Sequence, residues 1–238
     1  VGMLGVGGCG SADAEGAAVE RKSFAFDGSE LVVDSDDSRL VITPADVDDV
    51  RVERQVDGWV FMGSGPEASW KLVDGRLTLR VDCDAVASNC EAVHRIQVPR
   101  KVAVAVESDN GNVTAEGFAT PLKVRTDNGD VRVRKAGAAL DLGSTNGRVT
   151  VDAGTTSTDL TVRTDNGDVR LSLGAVPRNV DVATDNGGIT VEVPKAEYAV
   201  AGSSGNGSVR VDVPRNDGSG HGVRARSENG NVTVRTVN

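Results

Sequence analysis

A chain of 238 residues with a formal net charge of −9 and a pI near 4.8 is a poor match for nucleic acid or anionic lipid, which reward clustered positive charge. Aromatic residues make up 3 %, so there is no stacking platform for bases and little for sugars. The 29 glycines, and the lack of any run near the ~20 apolar residues of a membrane span, point to a turn-rich all-β domain with one core.

The first ten residues read VGMLGVGGCG. Small residues leading into Cys9 look like the tail of a bacterial lipoprotein signal, in which that cysteine takes lipid. The charged start and most of the apolar segment are missing, which reads as a truncated signal or a misassigned start. Residues 11–21 are small, acidic and unperiodic, as a surface tether would be. The chain thus divides into 1–22, truncated signal and flexible tether, and 23–238, a single domain. Within it, 23–100 is an irregular N-terminal cap with opening coils, and 101–238 carries regular repeats.

The irregular part is still strand-like. Runs 30–34 and 39–43 flank Ser35-Asp36-Asp37-Ser38, a degenerate copy of the repeat turn described below. Run 50–56 alternates cleanly, and 71–73 and 76–81 flank Asp74-Gly75, a hairpin signal. Residues 58–70 break the pattern and hold Trp59, Phe61, Met62 and Trp70. Trp59, Phe61 and Trp70 are the candidate partner contacts; the alternative is a hydrophobic plug closing the open end of a stack. Three cysteines is an odd number. With Cys9 given to lipid, Cys83 and Cys90 remain as a pair around a six-residue segment, and a disulfide there fits an extracytoplasmic setting.

From residue 101 one turn recurs. Asn110, Asn128, Asn146, Asn166, Asn186, Asn206 and Asn229 are each followed by glycine (Gly111, Gly129, Gly147, Gly167, Gly187, Gly207, Gly230), at spacings of 18, 18, 20, 20, 20 and 23. Two places before each Asn stands Ser or Thr, three after it Val or Ile, and six before it Val or Leu. The place four before is apolar except at Gly202. Each arm alternates with period 2, so each is a strand with one buried face. Asn and Gly tolerate the positive φ that a sharp turn needs. Two architectures fit: an array of antiparallel hairpins, or a parallel β-solenoid of ~18–20-residue coils with Asn-Gly as a corner. The solenoid is favoured because like residues would stack on like, and right-handed by the crossover preference. Its seven coils would rise roughly 34 Å. The outward place four after the Asn alternates Thr and Arg from Thr114 to Thr233, which would keep Arg from stacking on Arg. Residues 215–222 form a polar, Gly-rich insertion within the long last spacing.

The run Ile96-Gln97-Val98-Pro99-Arg100-Lys101-Val102-Ala103-Val104, then Ser108-Asp109-Asn110-Gly111-Asn112-Val113, with the later TDNGDV copies at Thr126 and Thr164, resembles the Toastrack family of bacterial adhesin-like domains of unknown function. The resemblance runs from about Phe24 onward. It implies a β-helix-like domain of the cell envelope, often on a lipoprotein, and it carries over no catalytic residue.

No catalytic or phosphate-binding motif appears, and His94 and His221 lack spaced partners. Asp109, Asp127, Asp165 and Asp185 before the Asn, with Asp130 and Asp168 after the Gly, could offer oxygens to calcium, but Thr145 and Gly205 interrupt the row. Capping of turn amides is the simpler use of such residues. A polysaccharide-acting enzyme is a further alternative, without an identifiable site. The reading is therefore a non-catalytic, lipid-anchored envelope protein on the extracellular face of the bacterial membrane. It binds or scaffolds an unknown envelope or surface partner, meets the membrane only through its anchor, and uses no cofactor, metal or nucleic acid.

Overall fold

The computed structural model describes residues 13–237, most of them in strands. A single 3-10 turn, Ala14–Gly16, precedes β1 (Glu20–Phe24), β2 (Glu30–Asp37) and β3 (Arg39–Ala45). Two long strands follow, β4 (Val50–Val73) and β5 (Arg76–Pro99), joined at Asp74-Gly75, both with positive φ. Strands then come in pairs, one on each side of an Asn-Gly. These are β6 (Ala103–Asn110) with β7 (Val113–Glu116), β8 (Leu122–Asn128) with β9 (Val131–Arg134), and β10 (Leu140–Asn146) with β11 (Val149–Thr155). The series continues with β12 (Asp159–Asn166) and β13 (Val169–Leu173), then β14 (Asn179–Asn186) and β15 (Ile189–Val193). It ends with β16 (Ala199–Asn206) and β17 (Val209–Asp212), then β18 (Gly222–Asn229) and β19 (Val232–Thr236).

The two arms of an Asn-Gly unit do not form a ladder with each other. Each lies parallel to the same arm of the next coil, in register: Leu140 sits between Leu122 and Leu160, and Val149 between Val131 and Val169. The protein is a parallel β-solenoid, and the hairpin array is excluded. The alternating apolar places point inward and, those of β17 apart, are almost fully buried from Leu31 to Val234, forming one continuous core. A pleated surface buried on one side favours the β-branched residues found there.

The corners correct one expectation. Among the seven repeat glycines only Gly111 has a left-handed φ, +123°. The others are glycine because the corners stack backbone on backbone. A Cβ on Gly129 would lie 2.2 Å from the Gly111 carbonyl oxygen, and one on Gly147 2.0 Å from that of Gly129. A Cβ on Gly230 would lie 2.1 Å from the Gly187 oxygen. No side chain fits at such distances. The asparagines form an amide ladder along the same corner: Asn128 donates to Asn110 at 3.0 Å, Asn146 to Asn128 at 3.0 Å and Asn166 to Asn146 at 2.9 Å. From Ser144 onward the hydroxyls two places earlier hold the glycine carbonyl of a neighbouring coil, as Ser144 does for Gly129 at 2.9 Å and Ser227 for Gly187 at 2.9 Å, whereas those of Ser108 and Thr126 make no such bond.

Spatial order departs from chain order at both ends. β18 pairs with β14 on one side and β16 on the other, and β19 likewise lies between β15 and β17. The last coil is therefore interior and the coil before it is terminal. The amide ladder follows the same path, with Asn229 donating to Asn186 and Asn206 donating to Asn229. At the other end β2 and β3 lie between β5 and the β6–β7 coil. The rearrangement also changes the outward Thr/Arg row. Thr190 faces Thr233, which faces Arg210, and no Arg stacks on Arg.

β5 is itself one coil, and β4 covers it antiparallel, with β1 antiparallel on β4. This antiparallel layer ends the parallel stack, and β1 presents the charged residues Glu20, Arg21 and Lys22 at the exposed edge, a common protection against edge pairing. Part of the stretch assigned to the tether is built into this cap. The Gln55 amide donates to the Glu15 and Ala17 carbonyls at 2.8 and 2.9 Å, and Glu15 pairs with Arg39. The hydrogen bond and charge of Arg39 hold the Glu15 carboxyl below its usual range.

Candidate functional site

The capped end differs most from the repeat. Leu79 takes the place that Ser108 has in the next regular coil, and His94 the place of Val113. The chain uses fifteen steps where the regular corner uses five. β4 follows β5 through this excursion, so the two leave the solenoid as an antiparallel ribbon, with a bulge at Gly65-Pro66. Proline, which has no N–H to donate, is tolerated there because the bulge interrupts the ladder with β5 and β4 has no other neighbour at that point. Cys83 and Cys90 are disulfide-bonded with Cα atoms 6.6 Å apart. Seven residues of straight strand would span about 23 Å, so β5 folds back on itself and the disulfide ties the neck of the excursion.

The side chains of Trp59 and Phe61 lie outside the described residues, as does Cys9, while the backbone of both aromatics is in β4. Trp70 is half-buried inside the cap. Its ring meets Phe24 edge-on at 6.4 Å, and the Arg54 guanidinium lies 4.1 Å from its centroid. Much of the Trp70 surface is thus given to packing. The Arg54 side chain is 11 % exposed and pairs with Glu20. Across the ladder from Arg54 stands His94, fully buried, with neither ring nitrogen hydrogen-bonded. Burial, and then the charge of Arg54, push its pKa down to about 4. The alternation that sends Ile96 and Val98 inward sends His94 inward as well, so its burial was readable from parity.

The outer face of the same cap forms a groove of about 440 Å³. Two rows cross four strands: Arg21, Glu53, Arg95 and Val41, then Ser23, Arg51, Gln97 and Thr43. Lys22 points to the other side of β1, where its ammonium lies 4.8 Å from the centroid of the Phe24 ring. Arg21 pairs with Glu53 at 2.7 Å, and Arg95 lies 3.5 Å from Glu15. Arg51 is exposed and forms no ion pair among the described residues. This cationic cluster escaped the sequence reading, because its residues come from four separated strands and only the cap topology collects them.

Along the corner, Asp130 and Asp168 are spent on turn amides. They accept from the backbone N–H of Arg148 and of Gly188, each at 2.8 Å. Among the described residues no group of three His, Cys, Asp or Glu side chains is placed to hold a metal. The His221 ring bonds the Pro177 carbonyl at 2.9 Å and stands beside Tyr198, a packing role within the 213–222 loop.

The Toastrack DUF4097 family model matches residues 87–236, more than half of the chain, and the protein belongs to that family. Among solved structures, a "putative adhesin" from Bacteroides fragilis NCTC 9343 matches with a TM-score of 0.56 at 13 % identity, covering 92 % of this chain and 97 % of that one. A "putative cell adhesion protein" from Clostridium sporogenes ATCC 15579 matches with a TM-score of 0.41 at 10 % identity, over 92 % and 100 % of the two chains. The first of these likenesses shows a shared fold. No curated protein matches the chain.

Proposed function

We propose that this protein is a non-catalytic binding or scaffolding domain of the bacterial cell envelope, held on the outer face of the membrane through lipid on Cys9. The observation that carries the reading is the disulfide-tied ribbon. Every regular corner closes with Asn-Gly alone, so ten extra residues at one corner, matched by a partnering excursion of β4, are not needed for stacking. Such a projection on a rigid rod suits contact with another surface. The disulfide favours an oxidising compartment. Family membership and the fold shared with a protein described as a "putative adhesin" agree with a surface role.

The test is expression from the native upstream DNA in a bacterial host, followed by fractionation and intact-mass analysis. The expected product is membrane-associated, carries diacylglycerol on Cys9, and is two hydrogens light for Cys83–Cys90. A cytosolic product with three unmodified thiols would overturn the reading. For the contact itself, Trp59→Ala with Phe61→Ala should reduce binding to whole cells while leaving Tm unchanged.

A further inference from the structure

We propose that the groove across β1, β4, β5 and β3 is a binding site for an extended polymer bearing oxyanions, that is, repeated phosphate or carboxylate groups. Arg21, Arg51 and Arg95 line it; Arg21 pairs with Glu53 and Arg95 lies near Glu15, which leaves Arg51 as the guanidinium without a carboxylate, in a chain whose net charge is −9. Along the rest of the rod, outward arginines often have a carboxylate on a neighbouring coil: Arg125 with Asp141 at 2.6 Å, Arg132 with Asp152 at 2.7 Å, Arg163 with Asp181 at 3.1 Å. Arg51 has no such neighbour. Its row is Ser23, Gln97 and Thr43, all neutral and all able to donate a hydrogen bond. A guanidinium without a carboxylate, among neutral donors and beside the row of Arg21 and Arg95, is suited to paired hydrogen bonds with an oxyanion.

The shape argues for a polymer over a lipid surface. The groove is an open trough crossing four strands, and its first row continues across the sheet through Thr114 to Arg132. Membrane insertion would call for exposed large apolar side chains at the rim. Those among the described residues are Val19, Val73, Val209 and Val237, and none lines the groove. The inference deepens the surface-binding reading and rests on it for where the polymer is met. The titration below needs only purified protein, so it can fail while the fractionation result stands, and the reverse.

The experiment titrates the purified chain with polyphosphate, with polygalacturonate, with neutral dextran, and with phosphatidylglycerol vesicles. Binding to polyphosphate or polygalacturonate, absent for dextran and weakened by salt, is the expected result. Whichever polymer binds names the oxyanion. Arg51→Glu should weaken it about tenfold or more, since a hydrogen bond to a charged group contributes about 1.5–3 kcal/mol. Arg51→Gln should weaken it less. Arg224→Glu is the control, because Arg224 is also outside any ion pair among the described residues but belongs to a different face and coil. Equal binding by Arg51→Glu and the parent, equal loss in Arg224→Glu, or no binding to either polymer would overturn the proposal. Tighter binding to the vesicles than to both polymers would overturn it in favour of a lipid source.

Discussion

His94 places a titratable ring at an inward position that Leu40 and Val113 occupy in neighbouring coils. Its pKa is about 4 when folded against 6.5 for an ordinary histidine. Between those values the unfolded chain takes up a proton that the folded protein refuses. Stability should therefore fall as pH drops from 6.5 towards 4, by about 3 kcal/mol in all, and level off below. His94→Leu should remove that dependence and stabilise the protein more at pH 4 than at pH 7, as urea unfolding at several pH values would show. The corner glycines give a second test at the same scale. Gly147→Ala forces a methyl against a carbonyl oxygen and should cost about 1–3 kcal/mol or more. Gly220→Ala, where a Cβ meets nothing within 4 Å, should leave Tm unchanged. The right residue was thus singled out at the corner for an incomplete reason. A repeated Asn-Gly pair signals a turn, but one chain of letters does not show that the next coil's backbone lies directly beneath it.

The coils from β10 onward are held by three separate devices: the apolar ladder inside, the hydroxyl that holds a glycine carbonyl, and the asparagine ladder on the corner. Asn146→Ala removes the donor to Asn128 and the acceptor for Asn166, and should cost about 1–3 kcal/mol by thermal melting. The ribbon depends on its tie instead. Reducing Cys83–Cys90, or replacing both with Ser, should cost about 2 kcal/mol or less and expose the ribbon to protease, while the regular coils stay protected from hydrogen exchange. What was legible in the sequence follows from this division. Inward places repeat and so announce strands, parity and the solenoid. The cap does not repeat. Its side-chain contacts, Arg54 with Trp70 of the same strand and with Glu20 across the ladder, are set by an antiparallel layer that no periodicity announces.

Over the whole molecule the largest difference from the linear reading is coil order. The β16–β17 and β18–β19 coils share nearly the same inward pattern, so the pattern cannot say which one neighbours β14–β15. Two hints were present: Gly202 at an inward place, and the 23-residue last spacing, which leaves chain enough to cross back over one coil. At the terminal position Val209 is 43 % exposed, as an outermost coil would be. A chain cut after Asp212 tests the order. Without β18 and β19, the β16–β17 coil loses its only neighbour and should be digested readily, leaving a protected core that ends near Val193. Were the coils stacked in chain order, β16–β17 would survive such a cut.

The interior position of β18 and β19 also bears on mechanical load. In a solenoid wound in sequence, a pull on the end frees the outermost coil one hydrogen bond at a time, as a zipper opens. Here the strand next to the pulling point is gripped on both sides. Tension must shear whole ladders against β14 and β16 together, and against β15 and β17, before anything yields. A rod built this way resists unravelling from its C-terminal side under flow or traction.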